Sequence, residues 1–335
     1  MRPPDFDQLL TVLRGGCPDR PVFFELGING ELIQRFAEPG VPEDWSGPGS
    51  RYLLLAWRNM GYDYMLCGAG GGFGFPSGER DKASSVSMNQ GSLITDRESF
   101  EAYPWPNPDE ADYSALEDPP LPESMKLIVW GPGGVLENAV SLVGYERLCY
   151  LSLDDPDLMD DIFEAIGGRL ARYYELSAGY ESVGALMGND DWGFKTQTML
   201  RPDQMRRWVI PWHRRIVEAI HAAGKPAILH SCGNLETVME DIIEDIGYDA
   251  KHSYEDQITP VEEAYERWGD RIAVLGGIDV DFLCRSTAEE IQERSRAMLA
   301  RSEGRGGYAL GSGNSIPAYV PQENFIAMRE VAVEG

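Results

Sequence analysis

The sequence predicts an α/β protein of the (β/α)8 barrel class, a TIM barrel, carrying an insertion after its second strand. Three observations carry that prediction. Short apolar runs alternate with longer amphipathic segments along nearly all of the 335 residues. The short runs are apolar throughout, as strands of a parallel sheet covered by helices are. Eight of them can be counted, one for each strand of such a barrel. An open doubly wound sheet is the runner-up, but no Gly-x-Gly-x-x-Gly follows the first run.

The elements follow in order. MRPPDFDQLLTVLRGG suits a helix starting near Asp5 and lacks the charged-then-apolar order of a signal peptide. PVFFELG (21–27) is the first strand, RYLLLAWRNM (51–60) a helix, and YDYMLCG (62–68) the second strand. Residues 68–122 are rich in Gly, Pro, Ser and aromatics, and read as an insertion or lid. KLIVWG (126–131) is the third strand, and a helical pattern over 156–180 leads to the fourth, VGALMGND (183–190). Pro202 opens the next helix, over 202–223, where its fixed φ and missing N–H cost nothing. Gly224 ends that helix before PAILHSCG (226–233), the fifth strand. Helices over 235–246 and 260–268 flank YDAKHSYE (248–255), and RIAVLGG (271–277) is the seventh strand. Thr287 and Glu290 form a capping box for a helix over 287–301. GYALGSG (307–313) and a helix over 321–333 complete a chain expected to be one barrel domain, 1–335.

The formal net charge is -26, from 55 acidic and 29 basic residues. Nucleic acid and anionic membranes both require clustered Lys and Arg, so neither is an expected partner. No apolar run approaches the roughly 18 residues of a membrane span. Five scattered cysteines without framework spacing fit a reducing cytoplasm.

In a barrel of this class the chemistry gathers at the carboxyl ends of the strands. Those ends supply Glu25 and Asn29, Cys67, Asp190 and Asp191, His230 and Cys232, His252 and Glu255, Asp279, and Ser312 and Asn314. His230-x-Cys232 can present two ligands to one metal if Gly233 lets the strand end bend. Zinc accepts imidazole and thiolate together, but a third ligand must come from elsewhere. A buried Cys beside a hydrogen-bonded His is the plainer reading of the same pair. Asp190 and Asp191 read either as turn caps or as catalytic groups. Cys17, Cys67, Cys149 and Cys284 read as small hydrophobes, and His213 and His221 as packing or surface residues of a helix. The glycines at 70–72 and 74 lack the Lys-Ser/Thr of a phosphate loop.

The stretches GNDDWGFKTQTMLRPDQMRRWVIPWHRRIVEAI and ILHSCGNLETVMEDIIEDIGYDAKHSYE, with GDRIAVLGGIDVDFL and GGYALGSGNSIPAYVPQENFIAM, resemble the uroporphyrinogen decarboxylase superfamily. The resemblance covers residues 180–330 well and the N-terminal half loosely. That superfamily places true decarboxylases and cobalamin-dependent methyltransferases on one (β/α)8 barrel. True decarboxylases carry PVWxMRQAGRY after the first strand, where this chain reads PVFFELGINGEL; Leu26 and Gly30 stand in place of the two arginines. The decarboxylases' aspartate near the end of the second strand has no match in YDYMLCG either. An octacarboxylate porphyrinogen needs cationic partners, so the resemblance does not imply porphyrin decarboxylation here.

The chain resembles the methyltransferase branch more closely. Thiol-methylating members bind zinc through His-x-Cys and a later Cys. His230 and Cys232 match the first two, and Asn314 stands where the third would be. The resemblance therefore implies zinc on His230 and Cys232, with a carboxylate such as Glu25 able to complete the site. It implies methyl transfer between a small methylated donor, such as an aryl methyl ether, or a thiol acceptor, and a corrinoid. No corrinoid-binding module is recognisable, so a partner corrinoid protein is expected to bring it. Asp190 and Asp191 are the expected catalytic groups, and Glu25, Asn29, His252, Asp279 and Asn314 the expected substrate contacts. The alternatives are a decarboxylase acting on another carboxylate substrate, and a barrel that binds a ligand without turnover.

Overall fold

Seven parallel strands lie in sequence order in a single sheet: β1 (Tyr64–Gly68), β2 (Lys126–Trp130), β3 (Val183–Asn189), β4 (Ala227–His230), β5 (Ala250–His252), β6 (Ala273–Leu275) and β7 (Tyr308–Ala309). The structure is a computed structural model, and it describes residues 2–37, 50–78 and 87–334. Part of the expected insertion, 79–86, lies outside the described residues. The strands curl into a TIM-barrel-like α/β fold with helices between them. Among the described residues no helix is long and apolar enough to cross a membrane.

The first expected strand does not form a regular one. Phe23 bridges Leu310 and Ile28 bridges Ile316, so this segment joins the far edge of the sheet beyond β7. On its other side the Tyr64 phenol stands where a ladder would run. It accepts from the Glu25 N–H at 2.8 Å and donates to the Glu25 carbonyl at 2.7 Å. A side chain thus satisfies the main-chain groups that a strand pairing would have used. The eight-strand expectation therefore becomes seven regular strands and one bridged segment.

Most strands also end earlier than their apolar runs. β4 stops at His230, and Ser231–Gly233 are already loop. The 202–223 helix divides into Pro202–Gln204, a wide turn over Met205–Val209, and Ile210–Ala222. Pro211 explains the wide turn, because it cannot donate the hydrogen bond that an α-helix would require of it. The capping box at Thr287 forms as expected: Glu290 N–H donates to Thr287 Oγ1 at 3.3 Å and Thr287 N–H to Glu290 Oε2 at 2.8 Å. Between β1 and β2, the described aromatics of the long connection pack on one another and on the Pro156–Ala178 helix. Phe73 stacks on Tyr173, and Arg169 lies over Trp105. Tyr173 Oη also ties Ala69 N to the Trp130 carbonyl, holding this layer beside the ends of β1 and β2.

Candidate metal and active site

Sheet register brings two of the sequence candidates, His230 and His252, to one level. Asn189, His230, His252 and Leu275 are successive partners across β3 to β6, and neighbours in register share a face. The loops that continue β3 and β4 then pack backbone against backbone. Gly193 N–H donates to the Cys232 carbonyl at 3.1 Å. Gly233 has φ +86°, and a Cβ there would sit 2.1 Å from the Gly193 oxygen. The glycine after Cys232 is therefore required by the turn and by the close approach.

This turn places Cys232 Sγ 3.7 Å from His230 Nε2. Asp191 joins them: its Oδ1 accepts from Cys232 N–H at 2.9 Å and lies 3.9 Å from His230 Nε2. One ligand atom from each of Asp191, His230 and Cys232 lies within 4.8 Å of the other two, the only such group of three found among the described residues. Glu25 is not one of them. Its carboxylate is buried and engaged by Ser312, whose N–H donates to Oε1 at 2.7 Å and whose hydroxyl donates to Oε2. As third ligand, then, the geometry favours Asp191 over the expected Glu25.

Burial sets the protonation of the pair. Burial pushes the Cys232 thiol up to about 12, and neighbouring Asp191 pushes the same way. Burial draws His230 down to about 4, against the pull of Asp191. Both groups are thus neutral at physiological pH, poised around a point where a cation would stabilise thiolate and carboxylate together. The sulfur already has two donors in reach, Asn314 Nδ2 at 3.2 Å and Ser253 Oγ at 3.4 Å. Ser253 takes φ +88°, a conformation that non-glycine residues adopt at a cost. Its hydroxyl thus faces the sulfur of a candidate ligand.

The remaining expected residues fall in different places. Asp190 is fully buried and accepts three hydrogen bonds, from Leu136 N and Glu137 N at 2.9 Å each and from His213 Nε2 at 2.9 Å. It ties the end of β3 to the N-terminus of the Val135–Val143 helix. Asp279 caps the Val280–Arg285 helix, donors reaching it from Asp281 N, Phe282 N and Asp256 N. Asn29 caps the Gly30–Ala37 helix through Leu32 N. His252 is buried beneath His230, 2.8 Å from it through the two Nδ1 atoms. Asn314 and Asp279 line a cavity of about 490 Å³ that also exposes Lys195, Tyr254, Glu255 and Asp281. Through Asn314 that cavity adjoins Cys232.

Sequence reasoning missed Lys251 and Glu137, whereas His213 is a buried packing residue of its helix, as expected, against Trp192 and bonded to Asp190 and Tyr248. Lys251 is buried, with Nζ 2.7 Å from the Ser253 carbonyl and above the Tyr254 ring. Burial lowers it to about 8, while Cys232 and Asp191 oppose the shift. A lysine inside a short buried strand, Asp-Ala-Lys-His, was the available signal. Burial beside Asp190 and Asp191 raises Glu137 to about 8.

A TIM-like barrel with imidazole, thiol and carboxyl groups converging at its strand ends is the class defined by these observations. The family model for uroporphyrinogen decarboxylase (URO-D) matches residues 121–334, and the chain belongs to that family. Among curated relatives, the uroporphyrinogen decarboxylase of Methylococcus capsulatus is 26% identical over 195 residues, covering 57% of this chain and 52% of its own. That of Syntrophotalea carbinolica is 31% identical over 141 residues, covering 42% and 38%. The chain therefore spans about half the length, or less, of these relatives. A solved methyltransferase from Methanosarcina mazei shares the fold, with TM-score 0.72 at 17% identity over 98% of this chain and 97% of its own.

Proposed function

We propose that this chain is a methyltransferase of the corrinoid-dependent type. It moves a methyl group between a small methylated donor, such as an aryl methyl ether, or a thiol acceptor, and a corrinoid carried by a partner protein. The observation that carries this reading is the convergence of Asp191, His230 and Cys232 within 4.8 Å. Imidazole, thiolate and carboxylate are all ordinary zinc donors. Zinc held there supplies Lewis acidity towards a leaving oxygen, or lowers the pKa of an acceptor thiol.

The chain's own residues do the rest. Asn314 and Ser253 orient the Cys232 sulfur through their hydrogen bonds. Asp191 fixes the Cys232 backbone and offers its carboxylate to the metal. The cavity past Asn314 receives the donor or acceptor, with Asp279 as part of its wall. We read 1–335 as one cytoplasmic barrel domain, with the aromatic layer after β1 as a lid keeping water from the mouth. The packing of that layer on Tyr173, beside the ends of β1 and β2, supports the lid.

Decarboxylation of another carboxylate substrate is the second reading, favoured by the names of the curated relatives. Against it, Leu26 and Gly30 offer no cation, and the cavity beside Cys232 has one lysine against three carboxylates. The two readings separate in one experiment. Zinc-loaded protein is incubated with methylcobalamin and a panel of thiols and phenols, and the corrinoid absorbance is followed. Demethylation that disappears in His230→Ala and Cys232→Ser supports the proposal. Unchanged corrinoid with every acceptor, together with CO2 release from a carboxylate, would overturn it.

A further inference from the structure

His252 is buried on β5, and among the described residues its ring nitrogens meet two hydrogen-bonding groups. Nε2 lies 3.2 Å from the Ser312 carbonyl, and Nδ1 lies 2.8 Å from His230 Nδ1. The Ser312 contact skips β6 entirely, so it runs through the barrel interior and not along the sheet. A carbonyl oxygen only accepts, so the His252 hydrogen sits on Nε2. Among the described residues no carboxylate hydrogen-bonds this fully buried ring to hold a second proton there. His252 Nδ1 is therefore a bare lone pair. The short Nδ1–Nδ1 contact then requires the hydrogen on His230 Nδ1, which leaves His230 Nε2 as the lone pair facing Cys232 and Asp191.

Ser312 does not hold this position unaided. Its N–H and hydroxyl both hydrogen-bond the Glu25 carboxyl group, and the Tyr64 phenol holds the Glu25 N–H and carbonyl. An uninterrupted line runs from Tyr64 through Glu25, Ser312 and His252 to His230. We propose that His252, oriented by Ser312 and Glu25, is a positioning residue that locks His230 in its Nδ1–H tautomer and so presents Nε2 to the metal. The benefit to the metal rests on the function proposed above; the tautomer itself does not.

The chain has four histidines, so a histidine-selective 15N label gives an assignable spectrum. Long-range 1H–15N correlation on metal-free wild type should show His230 as Nδ1–H and His252 as Nε2–H. His252→Phe fills the ring's space beside Phe24 but cannot accept from His230. It should let His230 populate the Nε2–H form and weaken Co2+ binding, read from thiolate-to-cobalt absorption, by about 10–100-fold. His252→Gln restores an acceptor towards His230 and a donor towards Ser312, and should recover both readouts to within a few-fold. An Nε2–H signature for His230 in wild type overturns the lock, whatever the variants do. A wild-type tautomer and Co2+ affinity in His252→Phe would overturn it as well. Absence of Co2+ binding by wild type with the Nδ1–H signature intact overturns the metal reading alone and upholds the lock.

Discussion

Replacing Asp190 by alanine should damage the fold far more than the chemistry. The carboxylate is fully buried and receives the Leu136 N–H, the Glu137 N–H and His213 Nε2, each at 2.9 Å. A carboxylate accepts, so His213 carries a hydrogen on Nε2 towards Asp190, while its Nδ1 lies 2.7 Å from the Tyr248 hydroxyl. Alanine leaves two helix N-terminal N–H groups and one imidazole N–H without an acceptor. Hydrogen bonds to a charged group contribute about 1.5–3 kcal/mol each, and breaking a buried charged network costs about 3–5 kcal/mol in total. Unfolding entropy of about 2.1 cal/mol/K per residue, over 335 residues, converts that loss to a melting temperature lower by about 4–7 °C. Gly134→Ala should behave alike, because a Cβ there would meet Asp190 Cγ at 2.1 Å. The assay is thermal denaturation followed by circular dichroism, with zinc content measured on the folded fraction. An Asp190→Ala protein that melts within 1 °C of wild type but has lost turnover would refute this reasoning and return Asp190 to the catalytic group, since the ~3–5 kcal/mol loss expected of a broken buried network would be missing.

Glu25, pushed up to about 8 by burial, should make stability depend on pH. Its folded pKa lies above the unfolded one, so its contribution is full below about 4.5 and is lost as pH rises through about 8, on the order of 3–5 kcal/mol; Glu25→Gln, which mimics the neutral acid, should flatten that limb of a denaturant-midpoint profile. Metal binding should release about one proton near neutral pH, because the Cys232 thiol sits at about 12 without a cation; calorimetry in buffers of different ionisation enthalpy reads the number, and zero release would argue against thiolate ligation. Purified protein should form no coproporphyrinogen from uroporphyrinogen, and Leu26→Arg with Gly30→Arg should not create that activity; chromatographic detection of product from wild type would reverse the conclusion.

The barrel was legible because its evidence is periodic. Apolar strand runs and amphipathic helices recur along the chain, and β1 to β7 each fall inside an expected run. The first run failed as a regular strand because Tyr64 spends its hydroxyl on the Glu25 peptide, a contact between residues 39 positions apart that no local pattern records. His230 and Cys232 were legible from their spacing and from Gly233. The division of labour between Asp190 and Asp191 was not. Two adjacent aspartates look alike in sequence, yet after the strand end one turns into the wall towards His213 and the other towards Cys232. Glu25 and His252 were legible as strand-end residues, but both are fully buried, and their partners, Ser312 and His230, are set by barrel closure and could not be assigned from spacing. Ser253 escaped notice because its role depends on a positive φ, which serine does not advertise.

Metal content is the most direct test of the central claim. Protein expressed with zinc in the medium and purified without chelator is analysed by inductively coupled plasma mass spectrometry, beside Cys232→Ser prepared in the same way. The account predicts about one zinc per chain in wild type, as a single site of this kind would hold. In the serine variant it predicts a small fraction of that, with an unchanged circular dichroism spectrum because the residue sits in a loop past β4 and outside the core. Wild-type protein with no bound metal, and a serine variant indistinguishable from it, would contradict the account and leave Cys232 a buried thiol.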